Sequence, residues 1–160
     1  MSSNGFQTHV WGPPAWFFLH TITFNFPLNS TATQRRQYLQ LFNSLKYTLP
    51  CRACRESYKH IVTSGNTKLN INVMKSRSSV SRWFYRVHNR VNKRIGSKNK
   101  KTYSEISKFY ENIRASCAPG PTVHGCTQPT RGIKKRSIIH IVPRNCARKD
   151  SIQLHPRCKK

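Results

Sequence analysis

Two cysteines three positions apart, Cys51 and Cys54, follow Pro50 and are each succeeded by an arginine, Arg52 and Arg55. A Cys-x-x-Cys pair of this kind can be half of a zinc site, a structural staple or a redox dithiol. Pro50 closes one helical pattern and opens the next, so Cys51 falls at a predicted helix N-terminus. The free N–H groups and the helix dipole stabilise a thiolate there, and the two arginines add positive charge. One turn of helix brings the sulfurs within bridging range, which poises the pair for thiol–disulfide exchange. Zinc would need two further ligands. His124 with Cys126 or Cys117 offers them at irregular spacing, and no second Cys-x-x-Cys occurs.

Two other stretches carry chemistry of a different sort. In WFYRVHNRVN, His88 and Asn92 lie four apart on one helix face, with Asn89 three before Asn92, beside Trp83 and Tyr85. In WGPPAWFFLHTITF, His20 lies four after Trp16. Aromatic rings edged by directed polar groups suit a flat heteroaromatic ligand. Taken singly, each stretch reads better as an ordinary helix, the first with polar groups that are solvated or satisfy one another and the second as an aromatic core helix.

The elements that must position these groups are helical. Pro13 and Pro14 suit a first turn, and the run from Ala15 to Phe24 carries Trp16, Leu19, His20 and Thr23 at helical spacing. Ser30 or Thr31 caps a second helix with Tyr38, Leu41, Phe42, Leu45 and Leu49 on its stripe. The third starts at Cys51 and ends at Gly65. After a polar connection over 66–77, a helix restarts at Ser78 or Ser79 with the clearest stripe in the chain: Val80, Trp83, Phe84, Val87, His88, Val91 and Ile95. Gly96 ends it. Thr102 and Glu105 read as a capping box opening a fifth helix through Ile106, Phe109, Tyr110 and Ile113. The fold class is therefore all-α: a four-helix bundle with a short fifth helix, followed by a basic, mostly disordered C-terminal tail. The expected division is a flexible stretch 1–10, a folded domain 11–115 and a cysteine-containing tail 116–160, in which Ser137–Val142 has the pattern of one short strand. A thioredoxin-like domain is excluded, since strands alternating with helices are lacking.

Composition narrows the class further. The net charge is +25, and Glu56, Glu105, Glu111 and Asp150 are the only acidic residues. Such a chain favours acidic partners: nucleic acid, an anionic membrane or an acidic protein. The tail's Lys and Arg could neutralise nucleic-acid phosphates. No apolar run approaches the roughly 18 residues of a membrane span. The start has no basic stretch followed by an apolar one, so no secretory signal is expected and the chain reads as intracellular and not secreted. Structural disulfides are rare there, which points the six cysteines (Cys51, Cys54, Cys117, Cys126, Cys146 and Cys158) to catalysis, metal or redox work.

In order, Trp11-Gly12, Trp16, Leu19-His20, Pro50-Cys51-x-x-Cys54, Trp83 and His88-Asn89-x-Val91-Asn92 resemble the Erv/ALR family of FAD-linked sulfhydryl oxidases. The match covers roughly residues 11 to 115, and WGPPAWFFLH with SEISKFYENI looks most like the short forms of large cytoplasmic DNA viruses. The resemblance implies a helical bundle holding FAD, usually as a homodimer. It implies that Cys54 sits against the isoalloxazine and that Cys51 exchanges with protein dithiols, including a thioredoxin-like relay, while oxygen takes the electrons as hydrogen peroxide. Gly12, Trp16, His20, Trp83, Tyr85, His88, Asn89 and Asn92 match positions that line the cofactor. A viral member would work in host cytoplasm or virion. Departures are Pro13 where many members have Arg, Asn25 or Phe26 where a tyrosine is usual, and no cysteine between Cys54 and Cys117 for an internal bridge. A phosphate partner must then come from Lys93, Arg94 or Lys98. A shuttle dithiol, if present, would be Cys117 with Cys126 or Cys146 with Cys158. Two readings compete: a zinc-stapled basic nucleic-acid-binding protein using Cys51, Cys54, His124 and Cys126, and a degenerate oxidase kept as a scaffold.

Overall fold

Local chemistry marks where most helices begin. The Thr31 hydroxyl accepts from the Gln34 N–H at 3.1 Å while the Gln34 side chain accepts from the Thr31 N–H at 2.9 Å. That capping box starts α2 (Ala32–Thr48). An equivalent box between Thr102 and Glu105 starts α5 (Tyr103–Asn112). Each satisfies donors that the helix cannot. Ser76 accepts from the Ser79 N–H and opens α4 (Arg77–Arg94), one to two residues before the position expected from the hydrophobic stripe. With α1 (Thr8–Phe24) and α3 (Arg52–Thr63), these are the five α-helices of the computed structural model, which describes residues 5–98 and 101–114. Single 3₁₀ segments, Gly65–Thr67 and Ile71–Lys75, occupy the connection between α3 and α4. No strand occurs among the described residues, so the all-α expectation holds. The tail 116–160, with its possible strand and its four cysteines, lies outside them.

Helix α1 departs from expectation. It begins at Thr8, and Pro13 and Pro14 lie inside it rather than in its first turn. A proline normally breaks a helix because it lacks the N–H and crowds the preceding residue. Here Gly12 precedes Pro13, and with no Cβ it meets less of that crowding. The carbonyls of His9 and Val10, which lose their donors four residues on, belong to exposed residues and are open to water. The first turn is held instead by Val10 and Trp11 N–H groups donating to the Gln7 carbonyl, and by the Trp11 indole donating to the Phe6 carbonyl at 3.1 Å. At the other end of the third element, α3 stops at Thr63. Gly65, at φ +61, opens the 3₁₀ turn rather than capping the helix directly.

The core is built on α4, whose Val80, Trp83, Phe84 and Val87 are all buried. They pack with Leu19 of α1, Phe42 of α2 and Tyr58, Ile61 and Val62 of α3. Each buried apolar side chain of this kind stabilises by roughly 1.5–3 kcal/mol. Polar atoms inside this core are spent on fastening chain segments. The Trp83 indole donates to the Thr67 carbonyl at 2.8 Å, the Tyr58 hydroxyl to the Phe42 carbonyl at 2.8 Å, and Arg77 Nε to the Phe26 carbonyl at 2.6 Å. Arg114 ties α5 back to α1, donating to the Phe24 carbonyl at 2.7 Å while paired with Glu111. Among the described residues no helix is long and apolar enough to cross a membrane.

Candidate functional site

Cys51 is the N-cap of α3, and its Sγ accepts from the Cys54 N–H at 3.3 Å. A sulfur in that position takes the place of the usual capping oxygen, so the backbone itself favours the thiolate. The Cys51 thiol is accordingly held below its ordinary range. The Cys54 side chain contributes most, burial opposes, and the Cys54 and Ala53 N–H groups and the Arg55 charge assist. The Cys54 thiol is pushed up to about 12, first by burial and then by its hydrogen bond to Cys51. The reduced pair is thus asymmetric: the setting favours the thiolate at Cys51 and the protonated thiol at Cys54. Both thiols are free. Arg55 is fixed nearby by donating to the Leu49 carbonyl at 2.6 Å. Arg52 pairs with Glu56 at 3.0 Å on the exposed surface, where such a bond is worth little.

The N-terminal segment reaches this site. Gly5 forms an isolated antiparallel bridge with Cys51, which is only 5% exposed. Gly5 has φ +149, and a Cβ there would collide with the Pro50 carbonyl oxygen. Only glycine allows so close a crossing. No group of three or more His, Cys, Asp or Glu side chains among the described residues is arranged to hold a metal. The His124, Cys126 and Cys117 of the zinc reading lie outside them.

A second constellation forms where α1, α4 and α5 meet. His20 Nε2 lies 3.0 Å from His88 Nδ1, and the Trp16 ring stacks on His88 with centroids 3.8 Å apart. Tyr110 stacks on His20 at 5.4 Å and Phe84 meets it edge-on at 4.8 Å. Sequence reasoning singled out Trp16, His20 and His88 but not Tyr110 or Phe84. Both showed only as members of apolar stripes, and nothing local tells which stripe residue faces a histidine on another helix. Asn89 and Asn92 are half-buried, and neither side chain has a hydrogen-bond partner among the described residues. Gly12 is open: nothing described lies within 4 Å of where its Cβ would be.

Two of the singled-out residues sit elsewhere. Trp83 points into the core, edge-on to Phe42 at 5.2 Å, because neighbours on a helix are turned about 100° from one another and Phe84 takes the direction of the cluster. Tyr85 is tied to the start of α5, its hydroxyl donating to the Lys101 carbonyl at 2.9 Å and its ring edge-on to Tyr103.

Burial, and then the adjoining His88, draw the His20 imidazole from 6.5 down to about 3; burial draws His88 down to about 4. Both rings are neutral at pH 7. Since their folded values are depressed, the unfolded chain binds more protons between about pH 4 and 6.5. Stability is therefore complete above 6.5 and falls as the pH drops through that window. The loss is on the order of 3 kcal/mol from His20 alone. Thermal melts from pH 7.5 to 4.5 should show a falling Tm, and a His20→Gln/His88→Gln variant should flatten that slope. An unchanged slope would contradict the burial of neutral rings.

Residues 13–113 match the Erv1 / Alr family. A probable FAD-linked sulfhydryl oxidase of Acanthamoeba polyphaga mimivirus is 35% identical over 88 residues, which span 55% of this chain and 60% of that one. The FAD-linked sulfhydryl oxidase ERV1 of Arabidopsis thaliana is 32% identical over 85 residues, 53% of this chain and 42% of that one. An FAD-linked sulfhydryl oxidase of African swine fever virus is 29% identical over 103 residues, covering 63% and 80% of the two chains. The chain thus spans about half of the length of the first two relatives. The crystal structure of the yeast Erv1 core has the same fold, with a TM-score of 0.59 at 21% identity over 71% of this chain and 91% of that one. With the family match extending from Pro13 in α1 to Ile113 just past α5, through the Cys-x-x-Cys and both histidine helices, this chain belongs to the Erv1/Alr family.

Proposed function

We propose that this chain is an FAD-dependent thiol oxidase that makes disulfides in protein substrates through Cys51 and Cys54. The observation that carries the reading is the asymmetric dithiol: a thiolate-favouring Cys51 at a helix start, joined to a proton-retaining Cys54 one turn on. In the oxidised enzyme the two sulfurs form a disulfide. A substrate thiolate attacks Cys51, and Cys54 leaves as a thiolate. A second substrate thiol then displaces Cys51, whose stabilised charge makes it a good leaving group. When bound, FAD takes two electrons from the reduced pair and delivers them to oxygen, giving hydrogen peroxide.

The residues present fit that group. His20 Nδ1 is a buried polar atom with no hydrogen-bond partner among the described residues, a condition that normally costs about 1–3 kcal/mol. It sits in a cluster of flat rings, with Asn89 and Asn92 on the adjoining helix. Trp16, His20, His88, Asn89 and Asn92 would hold the flavin nucleotide, and Gly12 would allow close approach to the α1 backbone. Trp83 would support the site from the core through Phe84, and Tyr85 from the α4–α5 connection. Lys93 and Arg94 in the exposed last turn of α4, with Lys98 beyond it, are the cations assigned to the phosphates. Residues 11–115 would be the oxidase domain and 116–160 its basic tail. A homodimer, a thioredoxin-like relay as substrate, and residence in host cytoplasm or virion belong to the same proposal.

The test is the purified full chain. It should be yellow, hold one FAD and no stoichiometric zinc, and consume oxygen with dithiothreitol. A colourless protein with one tightly bound zinc would replace this reading with the zinc-stapled one.

A further inference from the structure

Next to the dithiol, the end of α2 and the first two turns of α3 form a groove of about 290 Å³ lined by Lys46, Tyr47, Arg52, Arg55, Glu56 and Lys59. Its charges are lopsided. The single carboxylate, Glu56, is engaged by Arg52 at 3.0 Å. Among the described residues, no acid stands opposite the charges of Lys46, Arg55 and Lys59. Tyr47 is 68% exposed, with Lys46 Nζ 5.8 Å from its ring centroid. Arg52 and Arg55 directly follow Cys51 and Cys54 in the chain, and the Arg55 charge that lines the groove acts on both thiols.

We infer that this groove selects acidic dithiol segments of substrate proteins, docking the residues that flank the substrate cysteine. The inference rests on the oxidase reading and adds the substrate class to it. Charge decides the occupant. Three cations with no acid opposite among the described residues line the groove and attract carboxylates, and Arg55, whose charge reaches Cys51, also favours ionisation of an incoming thiol. The chain's own C-terminal stretch is the wrong sign, since Asp150 is its one acidic residue among many Lys and Arg. Tyr47 offers a ring for an apolar side chain next to the substrate cysteine. The substrate sulfur bonds to Cys51 Sγ as the Cys51–Cys54 bond breaks, and Cys54 departs with the electron pair. The second substrate sulfur then bonds to the first, releasing Cys51. The substrate loses two electrons and two protons, and the pair becomes a dithiol.

The experiment uses the full-length FAD-loaded enzyme and two Cys-x-x-Cys peptides that differ only in flanking Glu or Lys. Oxygen consumption at low salt should show kcat/KM at least about tenfold higher for the Glu peptide, with the advantage shrinking in high salt. In a Lys46→Glu/Lys59→Glu variant the preference should vanish through a raised KM for the Glu peptide, with dithiothreitol turnover unchanged. Equal kcat/KM for both peptides, or a preference that survives the double substitution, overturns the inference while dithiothreitol oxidation still supports the oxidase. Duplex DNA that blocks the groove without any peptide preference makes it a phosphate site and also overturns it. A wild-type enzyme inactive even with dithiothreitol removes the oxidase reading itself.

Discussion

Replacing Cys54 by Ser should stop dithiothreitol oxidation while leaving the protein folded and yellow. The attacked bond exists only if both sulfurs are present, so oxygen consumption should fall by at least about a hundredfold. Cys51→Ser should do the same, and it carries an internal control. Serine is a better helix cap than cysteine, and its hydroxyl can accept from the Cys54 N–H where Sγ does now. Its Tm should therefore equal or exceed that of the wild type, so lost activity cannot be assigned to unfolding. Near wild-type turnover in Cys54→Ser would show that electrons travel by another route.

Removing His88 should have the largest effect on cofactor retention. Its ring is held between the Trp16 face at 3.8 Å and the His20 nitrogen at 3.0 Å, so His88→Ala opens the cluster on both sides. A ligand at a hundred times its Kd adds about 2.7 kcal/mol to folding, and its loss lowers the Tm of a domain this size by on the order of 10 °C. Melting curves with and without added FAD separate this from packing damage. Wild-type protein stripped of flavin should regain stability on FAD addition, and His88→Ala should not. If His88→Ala/Asn92→Ala retains its flavin through dialysis, the cofactor lies elsewhere.

What could be read from the chain alone was what is local. Both capping boxes lie within four residues, and the Val80–Ile95 stripe repeats every three or four, so helices α2, α4 and α5 were visible with boundaries good to a residue or two. Trp16 with His20, and His88 with Asn92, are also single-helix patterns. Their meeting is not: the His20–His88 bond joins positions 68 apart, and α5 is fastened to α1 by an Arg114–Phe24 bond across 90 residues. Tyr110 became part of the cluster only through that packing. The direction of Trp83 was not legible for the complementary reason, since aromaticity marks burial without saying which side of the helix a ring takes. The start of α1 was hidden by the usual meaning of two prolines. The Gly5 crossing left no trace beyond a glycine near the N-terminus.

The two prolines within α1 set how that crossing behaves in time. Without N–H groups at positions 13 and 14, the turn before them is joined to the rest of the helix by a thinned hydrogen-bond ladder, and Gly5 hangs from this turn. Such a turn frays without disturbing the core. The amides of Val10, Trp11 and Gly12 should then exchange with deuterium far faster than those of Leu19 and His20 in the same helix. Each fraying event loosens the Gly5 bridge over Cys51, so the opening equilibrium of one helical turn becomes a ceiling on how often a bulky substrate finds its sulfur, while a molecule as small as dithiothreitol is held to that ceiling less tightly.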